Sequence, residues 1–104
     1  MAHRINWLNQ ALRELFTHCQ ALERSDPEQS ARLENEAFQA PELLKQFPQL
    51  GRLVPEAGPE HRALLFFSRR YWLVYRVRPQ SIVVIGVIST RQDFAKAWES
   101  RKRG

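Results

Sequence analysis

Apolar and polar residues alternate at Arg4-Ile5-Asn6-Trp7, and this two-residue period predicts a short opening strand. From Leu8 the period lengthens. Leu8, Leu12, Leu15, Phe16, Cys19 and Leu22 recur at three- and four-residue steps, which predicts a helix of about four turns with one apolar stripe. Ser25-Asp26-Pro27-Glu28 stops that helix and starts another: Asp26 caps, Pro27 suits the first helical position, and Glu28 and Glu34 lie toward the positive end of the dipole. The second stripe, weaker, is Ala31, Leu33, Ala37, Phe38 and Ala40. Pro41 removes a backbone donor and is expected to kink or restart the helix, with Leu43, Leu44 and Phe47 continuing an apolar face until Pro48 and Gly51 end it. Two helices joined by so short a link predict an antiparallel hairpin.

Gly51 to Glu60 reads as a loop from its glycine and proline content, and three strands follow it. Arg62 to Phe67 is the first, with Ser68-Arg69-Arg70 as its turn. Tyr71 to Arg78 is the second, and Pro79-Gln80 leads into Ser81 to Ser89, whose two apolar faces predict a fully buried central strand. Short connections make these neighbours antiparallel. Asp93 to Ser100 places Phe94, Ala95 and Trp98 at helical spacing ahead of Arg101-Lys102-Arg103. The expected architecture is β-α-α-β-β-β with a short C-terminal helix, in which the helical hairpin covers one face of a twisted antiparallel sheet: the α+β class. Tyr71, Leu73, Tyr75 and Val77 form the expected core face of the second strand. Trp72, Val74 and Arg76 then share the opposite face, where a bare tryptophan is unfavourable and a partner segment is expected to lie.

A length of 104 residues, 43% hydrophobic and 26% charged, describes one domain of ordinary globular balance, residues 1–104. The longest apolar run, Ile82 to Ile88, is too short to cross a bilayer, and Met1 to Trp7 lack the apolar core of a signal peptide. The lone Cys19 has no internal disulfide partner, so a cytoplasmic location is expected. Charge adds more. Residues 1–50 carry a net of −2, whereas residues 51–104 carry a net of +7. This asymmetry fits an acidic partner, nucleic acid or an acidic protein segment, and equally a solvated basic surface.

Most familiar chemistry is missing from the sequence. His18 and Cys19 are adjacent on a helix and diverge, and His3, His18 and His61 have no ligand spacing, so no metal site is expected. There is no glycine-rich phosphate loop and no Gly-x-Ser-x-Gly elbow, and Asp93 and Glu99 stand too far from other carboxylates to pair. Cys19 lies on the apolar stripe and reads as a buried structural thiol. No cofactor is implied, and nothing suggests a small-molecule enzyme. Arginine remains: Arg62, Arg69, Arg70, Arg76, Arg78 and Arg91 lie in or between the three C-terminal strands. Clustered guanidiniums bind phosphates bidentately and stabilise phosphoryl charge, and His61 is a candidate acid or base near neutral pH. Against that stands the ordinary role of a half-solvated polar face paired with Glu56, Glu60 and Asp93. Tyr71, Trp72 and Tyr75 suit base stacking, but Leu73 and Val77 beside the two tyrosines favour core.

Phe47-Pro48-Gln49-Leu50-Gly51-Arg52-Leu53-Val54-Pro55-Glu56, His61-Arg62-Ala63-Leu64 and Tyr71-Trp72-Leu73-Val74-Tyr75-Arg76-Val77 resemble segments of the RelE/ParE superfamily of bacterial type II toxins. Ile82 to Ile88 followed by Ser89-Thr90-Arg91-Gln92-Asp93 is similar to its closing strand and basic exit, and Ile5-Asn6-Trp7 with Ala11 and Glu14-Leu15 to the ParE-type start. The resemblance covers almost the whole chain and implies a small basic toxin neutralised by a co-expressed antitoxin. RelE-type members cleave mRNA on the ribosome; ParE-type members poison DNA gyrase. Leu65, Phe66 and Phe67 stand where RelE-type enzymes carry lysines, and Trp72 where they carry arginine, while the Gly-Arg-x-x-Pro-Glu loop resembles ParE. The resemblance therefore implies a ParE-like, plasmid-stabilisation type of toxin acting on gyrase. Arg62, Arg76, Arg91, Trp98, Arg101 and the following tail are expected to contact the target, and Trp72 and Val74 the antitoxin. The alternatives are a ribosome-dependent mRNA endoribonuclease using His61, Arg62 and Arg91, and a non-toxic member that acts only as a binding partner.

Overall fold

The change of period at Leu8 is where the backbone turns from strand to helix. The computed structural model describes residues 4–101. In chain order these form β1 (Arg4–Trp7), α1 (Asn9–Glu23), α2 (Pro27–Gln46), β2 (Arg52–Leu53), β3 (His61–Phe66), β4 (Tyr71–Arg78), β5 (Ser81–Ser89) and α3 (Phe94–Arg101). Ala11, Leu15 and Cys19 bury one face of α1, and the Asp26 carboxylate caps α2 by accepting from the Gln29 N–H at 3.2 Å. The two helices are tied where the buried Ser30 hydroxyl donates to the Cys19 carbonyl at 2.8 Å.

Pro41 does not divide the second helix, which runs unbroken to Gln46. Its ring lies on the buried stripe of Leu33, Ala37, Pro41 and Leu44, so burial against the core offsets a lost helical hydrogen bond that costs about 3 kcal/mol in an exposed helix. Phe38, placed on the stripe by its spacing, remains partly exposed and packs on Trp7 with ring centroids 5.0 Å apart.

The sheet is five-stranded in the order β1-β5-β4-β3-β2. Four strands are antiparallel, but β1 pairs parallel with β5, Ile5 opposite Ile82, so the sheet is mixed. A parallel neighbour needs a long crossover, and the helical hairpin with three strands separates β1 from β5 in the chain. β5 is thus an inner strand and β4 the central one. Arg52 and Leu53, read as loop, pair with the start of β3 and extend the sheet.

Tyr71, Leu73 and Tyr75 of β4 join Ile82, Val84 and Val87 of β5 beneath α1 and α2. The other face is also covered. Val74, Ala63 and Ile88 are buried with Trp98 of α3, and Phe94 and Trp72 pack at the margin. The cover expected from a partner segment over Trp72, Val74 and Arg76 is supplied by the chain itself, because α3 turns its own aromatics onto that face.

A β-bulge sets the geometry of this second layer. Val74 pairs with Gly86 and Tyr75 with Val84, leaving Ile85 unopposed. The extra residue shifts the core positions from Ile82 and Val84 to Val87, which is why the run Ile82 to Ile88 reads as apolar on both faces. The backbone groups freed there are taken by side chains. The Val87 N–H donates to Glu14 Oε1 at 3.0 Å, and the Arg101 guanidinium donates to the Ile85 carbonyl. Arg101 Nε and Glu14 Oε2 close the arrangement at 2.5 Å. A Cβ on Gly86 would sit 3.0 Å from both the Arg101 guanidinium and the Trp98 ring, so glycine lets α3 approach the bulge.

Candidate functional site

His61 opens β3 directly opposite Arg76 on β4, on the sheet face that carries α3. Arg76 pairs with Glu60 at 2.9 Å, while its Nε is buried without a partner among the described residues. His61 Nδ1 is likewise buried and unpartnered. Gly58, at φ +143°, lies against that nitrogen, where a Cβ would come within 2.7 Å, and the imidazole stands edge-on to Trp98 at 6.1 Å. Burial, and next the positive charge of Arg76, push the His61 pKa below its ordinary value. The folded protein therefore holds His61 neutral where the unfolded chain, with a pKa of about 6.5, takes up a proton. Stability from this group is present above that unfolded value and is lost as pH falls toward the folded one. Urea unfolding at pH 5 and pH 7.5 is expected to show a smaller midpoint difference in His61→Gln than in the parent. Equal differences would assign the pH dependence to another group.

Arg62 projects to the opposite face. Its Nη1 donates to the Gly51 carbonyl at 2.7 Å and the Gln49 carbonyl at 3.3 Å. The buried Tyr75 hydroxyl serves the same loop, donating to the Pro48 carbonyl and accepting from the Gly51 N–H, both at 2.8 Å. Arg62 thus fastens the segment between α2 and β2. Arg52 lies over the half-buried Trp72 ring with its guanidinium carbon 4.7 Å from the centroid.

Three of the expected contact residues are committed inside the fold. Val74, expected at the antitoxin face, is fully buried in the core under α3. Trp98 is buried, stacked on Phe94, and its face carries the Arg101 guanidinium at 4.1 Å. Arg101 is held by Glu14 and the Ile85 carbonyl. Trp98 and Arg101 both lie against Gly86 at the bulge, where they pack the α3 side of the sheet. Lys102 and Arg103 of the expected contact tail lie outside the described residues. Asp93 caps α3 by accepting from the Lys96 N–H at 3.0 Å. Cys19 is buried as expected, and burial raises its thiol pKa.

Arg91 is exposed at the far end of β5. Ser89 pairs with Tyr71 while Arg76 pairs with Val83, so about 16 Å of strand separates the Arg91 end from the His61–Arg76 corner. His61, Arg62 and Arg91 are thereby split between two faces and two ends of the sheet. They do not converge on one reacting atom. Sequence reasoning missed an apolar surface instead. Leu43, Phe47, Leu50 and Leu53 are each about half exposed, and Phe47 and Leu50 line a shallow hollow of about 410 Å³. The signal was there in the apolar residues flanking Pro48, but helical spacing read Leu43 and Phe47 only as the continuation of the apolar face of α2.

Among the described residues no group of three or more histidine, cysteine or carboxylate side chains is placed to hold a metal, and no helix is long and apolar enough to cross a membrane. A helical hairpin on one face of a mixed sheet and a short helix on the other define a small α+β protein. The family model for the ParE toxin of the type II toxin–antitoxin system parDE matches residues 5–94, and the chain belongs to this family. No curated protein matches the sequence. Among solved structures the chain is similar to one described as the chromosomal ParDE TA system from P. aeruginosa. The TM-score is 0.71 at 17% identity, over 85% of this chain and 96% of that one, which shows a shared fold.

Proposed function

We propose that this ParE-family chain is a cytoplasmic toxin that is held inactive by a cognate antitoxin and that poisons DNA gyrase when released. The observation that carries the reading is the family match over residues 5–94, which spans both helices of the hairpin and all five strands. The similar solved structure is described as a two-component ParDE system, which supports an antitoxin partner here. The half-exposed Leu43, Phe47, Leu50 and Leu53 offer that antitoxin an apolar seat, in place of the buried Val74. Trp72 remains available only at the margin of α3. For the target, Arg91 is the exposed member of the expected contact set, whereas Arg62, Arg76 and Arg101 are bonded within the chain.

The test is a cleavage assay with purified protein, gyrase, ATP and supercoiled plasmid, stopped with detergent and protease. Linear DNA that requires both proteins is the expected product, and Arg91→Ala is expected to reduce it by about tenfold, as for an exposed charged contact in a target interface. Folded protein that yields no linear DNA at any ratio to gyrase overturns the gyrase assignment.

A further inference from the structure

At the Arg91 end of the sheet a cavity of about 510 Å³ opens between the C-terminal half of α1 and the ends of β4 and β5. Its polar lining is basic and hydroxylic, with His18, Arg70 and Arg91 beside the hydroxyls of Tyr71, Ser89 and Thr90, and no carboxylate is among the described residues that line it. Two guanidiniums thus share one hollow, with no carboxylate among its described lining residues. Among the described residues, no ion pair engages Arg70 or Arg91.

The backbone holds this pair in place. Thr90 donates to the Arg70 carbonyl through both its N–H, at 2.9 Å, and its hydroxyl, at 3.0 Å, so the loop carrying Arg70 is clamped to the loop carrying Arg91. The Arg91 N–H donates to Ser89 Oγ at 3.2 Å, which leaves the Ser89 proton for another acceptor. His18 Nε2 faces the Val87 carbonyl at 2.9 Å, and a carbonyl only accepts, so that nitrogen carries the proton and fixes the ring beside Tyr71. The turn before Arg70 takes three consecutive left-handed residues without a glycine, Phe67, Ser68 and Arg69, at φ 54°, 54° and 64°. Such backbone is costly, and it is anchored here by the buried Phe67 ring, over which the Arg70 guanidinium lies at 5.3 Å. Burial raises the Tyr71 pKa, and the charges of Arg70 and Arg91 oppose that rise, consistent with both guanidiniums acting on the same hydroxyl.

We infer that this cavity is a binding site for a phosphate ester, with Arg70 and Arg91 as paired forks on the phosphate oxygens and Ser89 as an additional donor. Two unneutralised guanidiniums at one hollow repel each other, and an anionic phosphate group relieves that repulsion while matching the planar donor geometry of each. The volume exceeds the needs of a bare phosphate and falls in the range of sites for a ligand of nucleotide size. Ala21, Leu22 and the Tyr71 ring supply the apolar wall for the remainder. The site is distinct from the His61–Arg76 corner and from the apolar surface at Phe47, and it stands whether or not gyrase is the target.

The ester has two sources, a free nucleotide or the backbone of a nucleic acid, and a titration separates them. The probes are ADP and a single-stranded DNA dodecamer, each titrated calorimetrically into the full chain at fixed ionic strength. Saturable binding of ADP is expected, weakened about tenfold or more by Arg70→Gln and by Arg91→Gln, and left within about twofold by Arg78→Gln, which removes an exposed charge elsewhere. Binding of the dodecamer but not ADP, with the same pattern across the variants, keeps the phosphate site and assigns it to nucleic acid. No saturable binding of either probe overturns the proposal. So does equal weakening by all three variants, which is the signature of diffuse charge. Circular dichroism melts establish that each variant is folded, and the two arginines are tested separately so that a misfolded variant of one leaves the other decisive.

Discussion

Replacing Glu14 by alanine is expected to lower the melting temperature by more than about 10 °C. Glu14 is a helical residue by its position in α1, yet its carboxylate is used by the other side of the protein. One oxygen accepts the N–H that the β5 bulge frees at Val87, and the other pairs with Arg101 of α3 at 2.5 Å. The pair is largely shielded, with side-chain exposures of 20% and 11%. Truncating one partner of a shielded pair leaves the other charge desolvated and alone, which costs about 3 kcal/mol. In a domain of this size that corresponds to roughly 12–24 °C at about 4–8 °C per kcal/mol. Glu14→Gln keeps an acceptor for Val87 and is expected to recover part of the loss. The double variant Glu14→Leu/Arg101→Met removes both charges but is still expected to fall short of the parent, because the Val87 N–H and Ile85 carbonyl remain unpaired. Calorimetric melts of the four proteins decide it. A Glu14→Ala melt within about 3 °C of the parent would mean that the bulge holds without its side-chain supports.

Gly51→Ala is the second substitution expected to have a large effect. The added Cβ would meet the Tyr75 ring at 2.7 Å, its hydroxyl at 2.8 Å and the Ala63 carbonyl at 2.9 Å. None of these yields cheaply: Tyr75 is fully buried, and the Ala63 carbonyl belongs to β3. Displacing Tyr75 also separates its hydroxyl from the Pro48 carbonyl and the Gly51 N–H, the two bonds that close the loop over the core. Overpacking and lost hydrogen bonds together are expected to cost about 3–4 kcal/mol in urea unfolding. Tyr75→Phe, which loses the bonds without a clash, is expected to cost about 2 kcal/mol. If Gly51→Ala costs less than Tyr75→Phe, the close approach at residue 51 is not the constraint described.

These two sites show why some of the protein is legible in its sequence and some is not. The strands β4 and β5 have the bounds that their composition and turns indicate, and Cys19 is the buried thiol that its place on the stripe implies. Arg101, by contrast, reads as part of a basic tail until Glu14, 87 positions away in the chain, is seen beside it. Arg62 reads as a phosphate ligand and proves to be a clamp on two carbonyls. A guanidinium looks the same in sequence whether it meets solvent, a ligand or the chain's own backbone. The pairing of Arg70 with Arg91 across one cavity was equally hidden, since one follows β3 and the other follows β5.

The sequence by itself determined the helical hairpin, the bounds of β4 and β5, the α+β class and the face of β4 that lies beneath the hairpin. Each of these is a local matter of period, capping and turn chemistry, repeated over enough residues to be unambiguous. Only the tertiary structure decided that β1 runs parallel to β5, that α3 covers Trp72 and Val74, that Pro41 stays within its helix and which arginines remain free. Those outcomes depend on what lies opposite a residue. Periodicity records that a face is buried, but the group that buries it is set by contacts between distant parts of the chain.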